Sequence, residues 1–280
     1  MRIGTTETVR RIALALDERQ PFSLVRMGDG EYRAMMAMKA GRMPDGRGTC
    51  TGDVPGIGNT YTVEDVASHY ALFVAGLQKV DVLGLWFWRH SGDRMREAIM
   101  EEVDRLVGMD ERVVTDTFVS NYMMIGGQFW DLVEGRRVLI VNDHPAAIME
   151  AFSARRYSEQ MRCFGIDKHP PWNIVGGVRV DCVEKVARDA PDPTEEPEAE
   201  WRPVMQYVDE AAAYEFDIAL VGFSWRSMIV CPMLAERTGK VVLDMGHTLN
   251  EVWMPRPEWT QYCSWEGLIG EAKAALELSP

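Results

Sequence analysis

The chain has no surplus of positive charge, no paired cysteines and no long apolar run, and each absence narrows what it can do. Thirty Lys and Arg stand against 43 Asp and Glu, a net charge of −13 over 280 residues. Nucleic-acid backbones are bound by clustered cations, so this balance argues against a general nucleic-acid binder while leaving room for a local basic pocket. Five scattered cysteines (Cys50, Cys163, Cys182, Cys231, Cys263) form no C-x-x-C pair. Reduced thiols are expected, rather than a disulfide framework or a zinc site. No stretch approaches the roughly 18 apolar residues of a membrane span, and the start of the chain has no apolar signal-peptide core. A cytoplasmic protein is the expectation. A Walker loop and a G-x-G-x-x-G turn are both missing, which disfavours P-loop and dinucleotide enzymes.

What is present alternates. Apolar stripes at helical spacing predict helices over 6–18, over 63–77 with Thr62 and Asp65 as a capping pair, over 93–107, and to Val133. Buried-type strands are expected at Phe22–Val25, Val80–Trp86, Val113–Phe118, Arg137–Val141, Phe216–Val221 and Val241–Asp244, with a weaker one at Met161–Ile166. Pro145 suits the first turn of a helix, and Gly239 ends another. A closing helix is expected over 264–277. The pattern predicts one α/β domain over residues 1–280, with a Rossmann-like, mostly parallel sheet and helices on both faces. Residues 41–60, with six glycines and two prolines, read as a long loop, and 189–200, with six acids and three prolines, as an acidic surface loop.

Parallel sheets place ligands at the carboxyl ends of their strands. The polar groups at such ends are Arg26–Glu31, Ser120–Tyr122, Asn142–His144, Gly222–Ser224 and Asp244–Glu251. Asp29 and Glu31, one residue apart, can bind Mn²⁺ or Mg²⁺ through oxygen, or can simply begin a helix, where acidic residues suit the dipole. Gly28 and Gly30 admit a close ligand, and Arg26 offers a forked cation to a phosphate. His247 follows a strand directly, and Glu251 is a candidate general base. Gly222 and Ser224 are not a nucleophile elbow, since Arg226 stands where its second glycine belongs, so their turn reads as a phosphate-facing turn or a plain connection. Asn142-Asp143-His144 reads as a metal or acid/base cluster, or as a helix cap by Asp143. Trp86 and Trp88, beside Arg89 and His90, are packing residues or a stacking edge.

Two separated motifs resemble one family. Ser23-Leu24-Val25-Arg26-Met27-Gly28-Asp29-Gly30-Glu31 is similar to the S-x-x-R-[FY]-G-D-G-E opening of the GT-D-type glycosyltransferases, and Val242–Trp253 to their A-x-D-I-G-H-x-x-x-E-Y-x-W close. Phe118–Tyr122 resembles their F-[IV]-S-R-P-Y stretch. The chain departs from these patterns at Met27, at Asn121-Tyr122, at Leu249 and at Val252-Trp253. The resemblance implies a hexosyltransferase that takes a sugar from a nucleotide diphosphate, typically UDP, to a glycan or glycoprotein hydroxyl, with a divalent metal. It implies Asp29 and Glu31 as metal ligands, Glu251 and Asp29 as catalytic, and Arg26, Gly28, Gly30, Ser120, Asn121, Gly222, Ser224, Asp244, Gly246 and His247 as donor-binding. A homodimer is compatible with it. A phosphohydrolase or phosphotransferase using the same acidic turn, and a non-catalytic nucleotide-sugar binder, are the alternatives.

Overall fold

A computed structural model describes residues 1–44, 62–85, 93–125, 127–158, 161–162, 165–180 and 202–253. Most of the expected glycine-rich loop, the acidic stretch 189–200, the group Trp86–His90 and the closing helix lie outside the described residues.

Seven strands form one parallel sheet in the order β3-β2-β1-β7-β6-β4-β5. They are β1 (Phe22–Met27), β2 (Val82–Leu85), β3 (Val114–Asp116), β4 (Arg137–Asn142), β5 (Asn173–Arg179), β6 (Ile218–Gly222) and β7 (Val241–Asp244). The described helices are α1 (Thr5–Glu18), α2 (Asp29–Lys39), α3 (Val63–Lys79), α4 (Asp93–Val107), α5 (Val119–Ile125), α6 (Gln128–Val133), α7 (Pro145–Ala154), α8 (Val204–Ala212) and α9 (Ser227–Thr238). The expected α/β architecture is therefore present, and the sheet is parallel throughout.

The strands are apolar on both faces because both faces are covered. Alternate residues serve two cores. Val25, Leu83, Val141, Val221 and Val242 pack beneath α2, α3, α4, α8 and α9. Leu24, Val82, Ile140, Leu220 and Leu243 pack beneath α1, α5, α6 and α7. This period-two sorting of continuous apolar strands is what a sheet sandwiched between helix layers requires. The outer edge of β3 is capped by the chain start: Ile3 N donates to Val114 O (2.8 Å) and Val114 N to Met1 O (2.8 Å).

Local signals mostly coincide with the elements. Thr62 and Asp65 exchange hydrogen bonds around the start of α3, with Asp65 N to Thr62 Oγ1 at 3.1 Å and Thr62 N to Asp65 Oδ2 at 2.8 Å. Pro145 opens α7, and Gly239, at φ 69°, closes α9. Among the described residues no strand lies at Met161–Ile166, where one is expected: residues 161–162 are helical and Ile166–Lys168 form a 3-10 turn. The sheet's edge strand is instead β5, whose sequence hides it. Gly176 and Gly177 interrupt its apolar pattern because Tyr214 and Pro145 sit where their side chains would be. The single helix expected before Val133 is two, α5 and α6, broken at Gly127, whose φ is 77°.

Gly76 marks the closest approach of α3 to α9, since a Cβ there would overlap the carbonyl oxygen of Met228. Alanine favours a helix interior by about 1 kcal/mol over glycine. Overpacking against a backbone atom costs about 1–3 kcal/mol. Gly76→Ala is therefore expected to lower stability, by up to about 2 kcal/mol, read as a lower urea midpoint.

Candidate functional site

The chain runs outward from β1 to β3, returns across the sheet to β4, and ends by inserting β7 beside β1. The order of strands reverses at the β1–β7 join. In open α/β sheets a crevice opens there, beyond the carboxyl ends of the strands. Register brings four such ends side by side: Leu24 pairs with Leu243, Val221 with Asp244, and Asn142 with Gly222. The segments Arg26–Glu31 and Asp244–Trp253, more than 200 residues apart in sequence, are neighbours.

Arg26 and Asp244 form the centre. The side chain of Arg26 is 12% exposed and that of Asp244 4%. Arg26 N donates to Asp244 Oδ2 (3.2 Å), and Arg26 Nε lies 3.5 Å from the same oxygen. Asp244 Oδ1 accepts from Gly246 N (2.9 Å). Arg26 Nη1 donates to Thr117 O (3.4 Å), while Nε is buried without a hydrogen-bond partner. The guanidinium lies on Gly246, where a Cβ would overlap it, and the φ of 53° there also favours glycine. Burial pushes the Asp244 carboxyl above its ordinary range. Arg26, the N–H groups of Gly246 and Arg26, and the Ser227 hydroxyl oppose that rise without cancelling it.

Gly28 is the N-cap of α2, and Asp29 and Gly30 are its first two residues. Glu31 turns back so that its Oε2 accepts from Gly28 N (2.9 Å), which is half of a capping box. The helix-start reading of this carboxylate is thus realised. The same carboxyl is raised above its usual range by burial and then by the negative charge of Asp244, with Arg26 opposing. Two carboxylates therefore feel one guanidinium, and Asp244 is the one paired with it. The side chains of Asp29, His247 and Glu251 lie outside the described residues. The backbone of His247 and Glu251 belongs to the 3-10 turn Gly246–Val252. Among the described residues no group of three or more His, Cys, Asp or Glu is placed to hold a metal ion.

Ser120 and Asn121, at the start of α5, are buried and spend hydrogen bonds on the β7 turn. Ser120 Oγ donates to Asp244 O (2.8 Å), and Thr248 Oγ1 donates to Asn121 Oδ1 (3.2 Å). Gly222 ends β6, and a Cβ there would lie 2.6 Å from Asn142 Nδ2 and 2.8 Å from Gly246 O, so the three strand ends are in contact. Ser224 follows at φ 50°, a left-handed conformation unusual for a side-chain-bearing residue. Phe223 N donates to Ser227 Oγ (3.2 Å). Thr117, Thr248 and Ser227 escaped the sequence reading. They act through backbone and hydroxyl contacts, and no motif spacing marks them.

An all-parallel sheet wrapped by helices, with the Arg26–Asp244 pair at the β1–β7 join, defines a Rossmann-like α/β protein. The family described as the GT-D fold-like domain matches residues 3–189 and 194–252, and the chain belongs to that family. No curated protein and no solved structure matches it.

Removing one partner of a buried ion pair strands the other charge and costs about 3–5 kcal/mol. Arg26→Ala is expected to lose that much in urea denaturation at neutral pH. His69 of α3 packs edge-on to Trp225 (6.2 Å between centroids) behind the β6 turn. Burial lowers its pKa below 6.5, and the nearby Arg226 charge adds to the shift. The unfolded chain then binds the proton more readily, so stability present above pH 6.5 is lost as pH falls through the folded-state value. The stability advantage of the wild type over His69→Gln should therefore shrink between pH 7.5 and pH 5.

Proposed function

We propose that this protein is a cytoplasmic, metal-assisted glycosyltransferase of the hexosyl type. It moves a sugar from a nucleotide diphosphate, UDP foremost, to a hydroxyl of a glycan or glycoprotein acceptor. The observation that carries the reading is the Arg26 guanidinium lying on Gly246 beside Asp244 at the switch point. A fixed cation over a side-chain-free turn suits a diphosphate, because the backbone can approach the ligand and the fork can bind its oxygens. Membership in the GT-D fold-like family supports the same reading. Among the described residues no helix is long and apolar enough to cross a membrane, in keeping with it.

Arg26 binds a phosphate oxygen, and Asp244 holds its guanidinium in place. Gly246, His247 and the Gly222–Ser224 turn line the phosphates and ribose. Asp29 and Glu31 would hold Mn²⁺ or Mg²⁺. Their oxygen ligands suit a hard cation, and the crowding of Glu31 and Asp244 around one arginine leaves negative charge for a cation to offset. Bound there, the metal would stabilise the charge of the departing diphosphate. Glu251 takes the proton of the acceptor hydroxyl where the anomeric centre inverts.

A ligand at about 100 times its Kd stabilises the folded state by about 2.7 kcal/mol. UDP, GDP, CDP and dTDP, each with and without Mn²⁺, are therefore expected to yield one Mn²⁺-dependent rise in Tm of several degrees, lost in Asp29→Ala. A wild type that answers none of the four would overturn the donor site. Hydrolysis of the cognate nucleotide sugar, abolished in Glu31→Ala, separates an enzyme from a binder. Release of phosphate from simple phosphoesters would favour a phosphohydrolase.

A further inference from the structure

The junction of β4 with α7 carries polar groups that the phosphate site leaves unused. Asn142 fixes the backbone there: its Nδ2 donates to Gly222 O (3.3 Å), and its Oδ1 accepts from His144 N (2.9 Å). Asp143 and His144 follow, with His144 Nε2 3.6 Å from Asp143 Oδ2. The His144 ring meets Trp253 edge-on, 5.2 Å between centroids at 66°. Trp253 directly follows the 3-10 turn, which packs against α7. Asp143 Oδ1 and Trp253 Nε1 are both buried without a hydrogen-bond partner, and so is Asn250 Oδ1 on the same turn. Folded proteins pair nearly all such atoms, so an acceptor and a donor left open at one junction call for a ligand that supplies both halves.

We propose that Asp143, His144 and Trp253 form a carbohydrate-hydroxyl subsite beside the phosphate site. A sugar hydroxyl donates to Asp143 Oδ1, a second sugar oxygen accepts from Trp253 Nε1–H, and the C–H face of the ring rests on the His144–Trp253 pair. The carboxylate repels anions, and an indole N–H offers nothing to a cation. A neutral polyol therefore fits better than a phosphate or an amine. The groups are covered in the free protein, so the Trp253 ring shifts as the sugar enters. β4 stands two strands from β7, about 10 Å at the usual spacing. A sugar joined to the diphosphate, or an acceptor sugar laid against it, spans that gap. The inference rests on the donor reading above, and two sources share its chemistry: the transferred sugar and the acceptor.

The test is isothermal titration of the full chain, with Mn²⁺ present throughout. The probes are UDP alone, UDP-glucose, UDP-galactose and UDP-N-acetylglucosamine, then the methyl glycosides of the same three sugars. The wild type is compared with Asp143→Asn and Trp253→Phe. Asp143→Asn keeps the shape but removes the charge that strengthens the acceptor, Trp253→Phe removes the donor, and thermal melts check folding. A hydrogen bond to a charged group is worth about tenfold or more in affinity. The expected result is a loss of about that size for sugar-bearing probes in both variants, with UDP affinity unchanged. A loss confined to the UDP-sugars assigns the subsite to the donor, and one confined to the glycosides assigns it to the acceptor. The proposal is overturned if both variants bind every sugar probe as the wild type does, if they lose UDP equally, or if the wild type binds no methyl glycoside and binds no UDP-sugar more tightly than UDP alone. Failure of UDP to bind, with glycoside binding intact and variant-sensitive, would instead overturn the donor reading and leave the subsite standing.

Discussion

The contact between Arg26 and Asp244 is the constraint on which the rest of the crevice depends. A carboxylate taken out of water needs a paired charge and hydrogen bonds to remain tolerable, and Asp244 obtains both from β1 and from its own following turn. In return it fixes the guanidinium against Gly246. Ser120, Asn121 and Thr248 then tie the β7 turn to α5. The geometry of the crevice thus follows from one ion pair and the hydroxyl and amide groups that frame it. Glu31 sits within reach of the Asp244 charge, so the electrostatic state of α2's first turn is coupled to the sheet's central join.

Much of the fold is legible in the sequence because most strands are short, two-sided apolar runs and several helices begin or end on a recognisable residue. Thr62, Pro145 and Gly239 act locally, through a cap, a preset φ and a left-handed stop, so their effect can be read without the rest of the chain. β5 fails that reading for a tertiary reason. Its glycines make room for Tyr214 and Pro145, and a pattern search sees only the missing side chains. The strand expected at Met161–Ile166 was drawn from apolar residues that cover the sheet rather than join it, as the burial of Met161 and Ile166 in the second core illustrates.

The candidate site divides in the same way. Arg26 and Asp244 are each visible as polar residues at the end of an apolar strand. Their adjacency is a property of strand order, which local sequence does not encode. Ser120 and Asn121 stand out in the sequence as polar residues after a strand, and the structure adds that both are buried and bonded to the β7 turn. Thr117 and Thr248 contribute single contacts whose partners lie in distant segments, and Ser227 reaches Asp244 on β7 as well as its neighbour Phe223, so only the assembled fold distinguishes them from other hydroxyl residues.

The position of β7 has a consequence for how the molecule comes together. It is the last strand described, yet it lies between β1 and β6. Until it docks, the sheet consists of two separate halves, β3-β2-β1 and β6-β4-β5, with no ladder between them. During synthesis the first half, complete at Asp116, must wait with its β1 edge unpaired while residues 117–240 emerge. Closing so distant a contact is slow, and an open strand edge is prone to mispairing in the interval. The keystone that completes the sheet also completes the crevice, because Asp244 arrives with it. A nascent chain halted before residue 241 would hold Arg26 without Asp244, so the central ion pair and closure of the sheet are acquired in the same event.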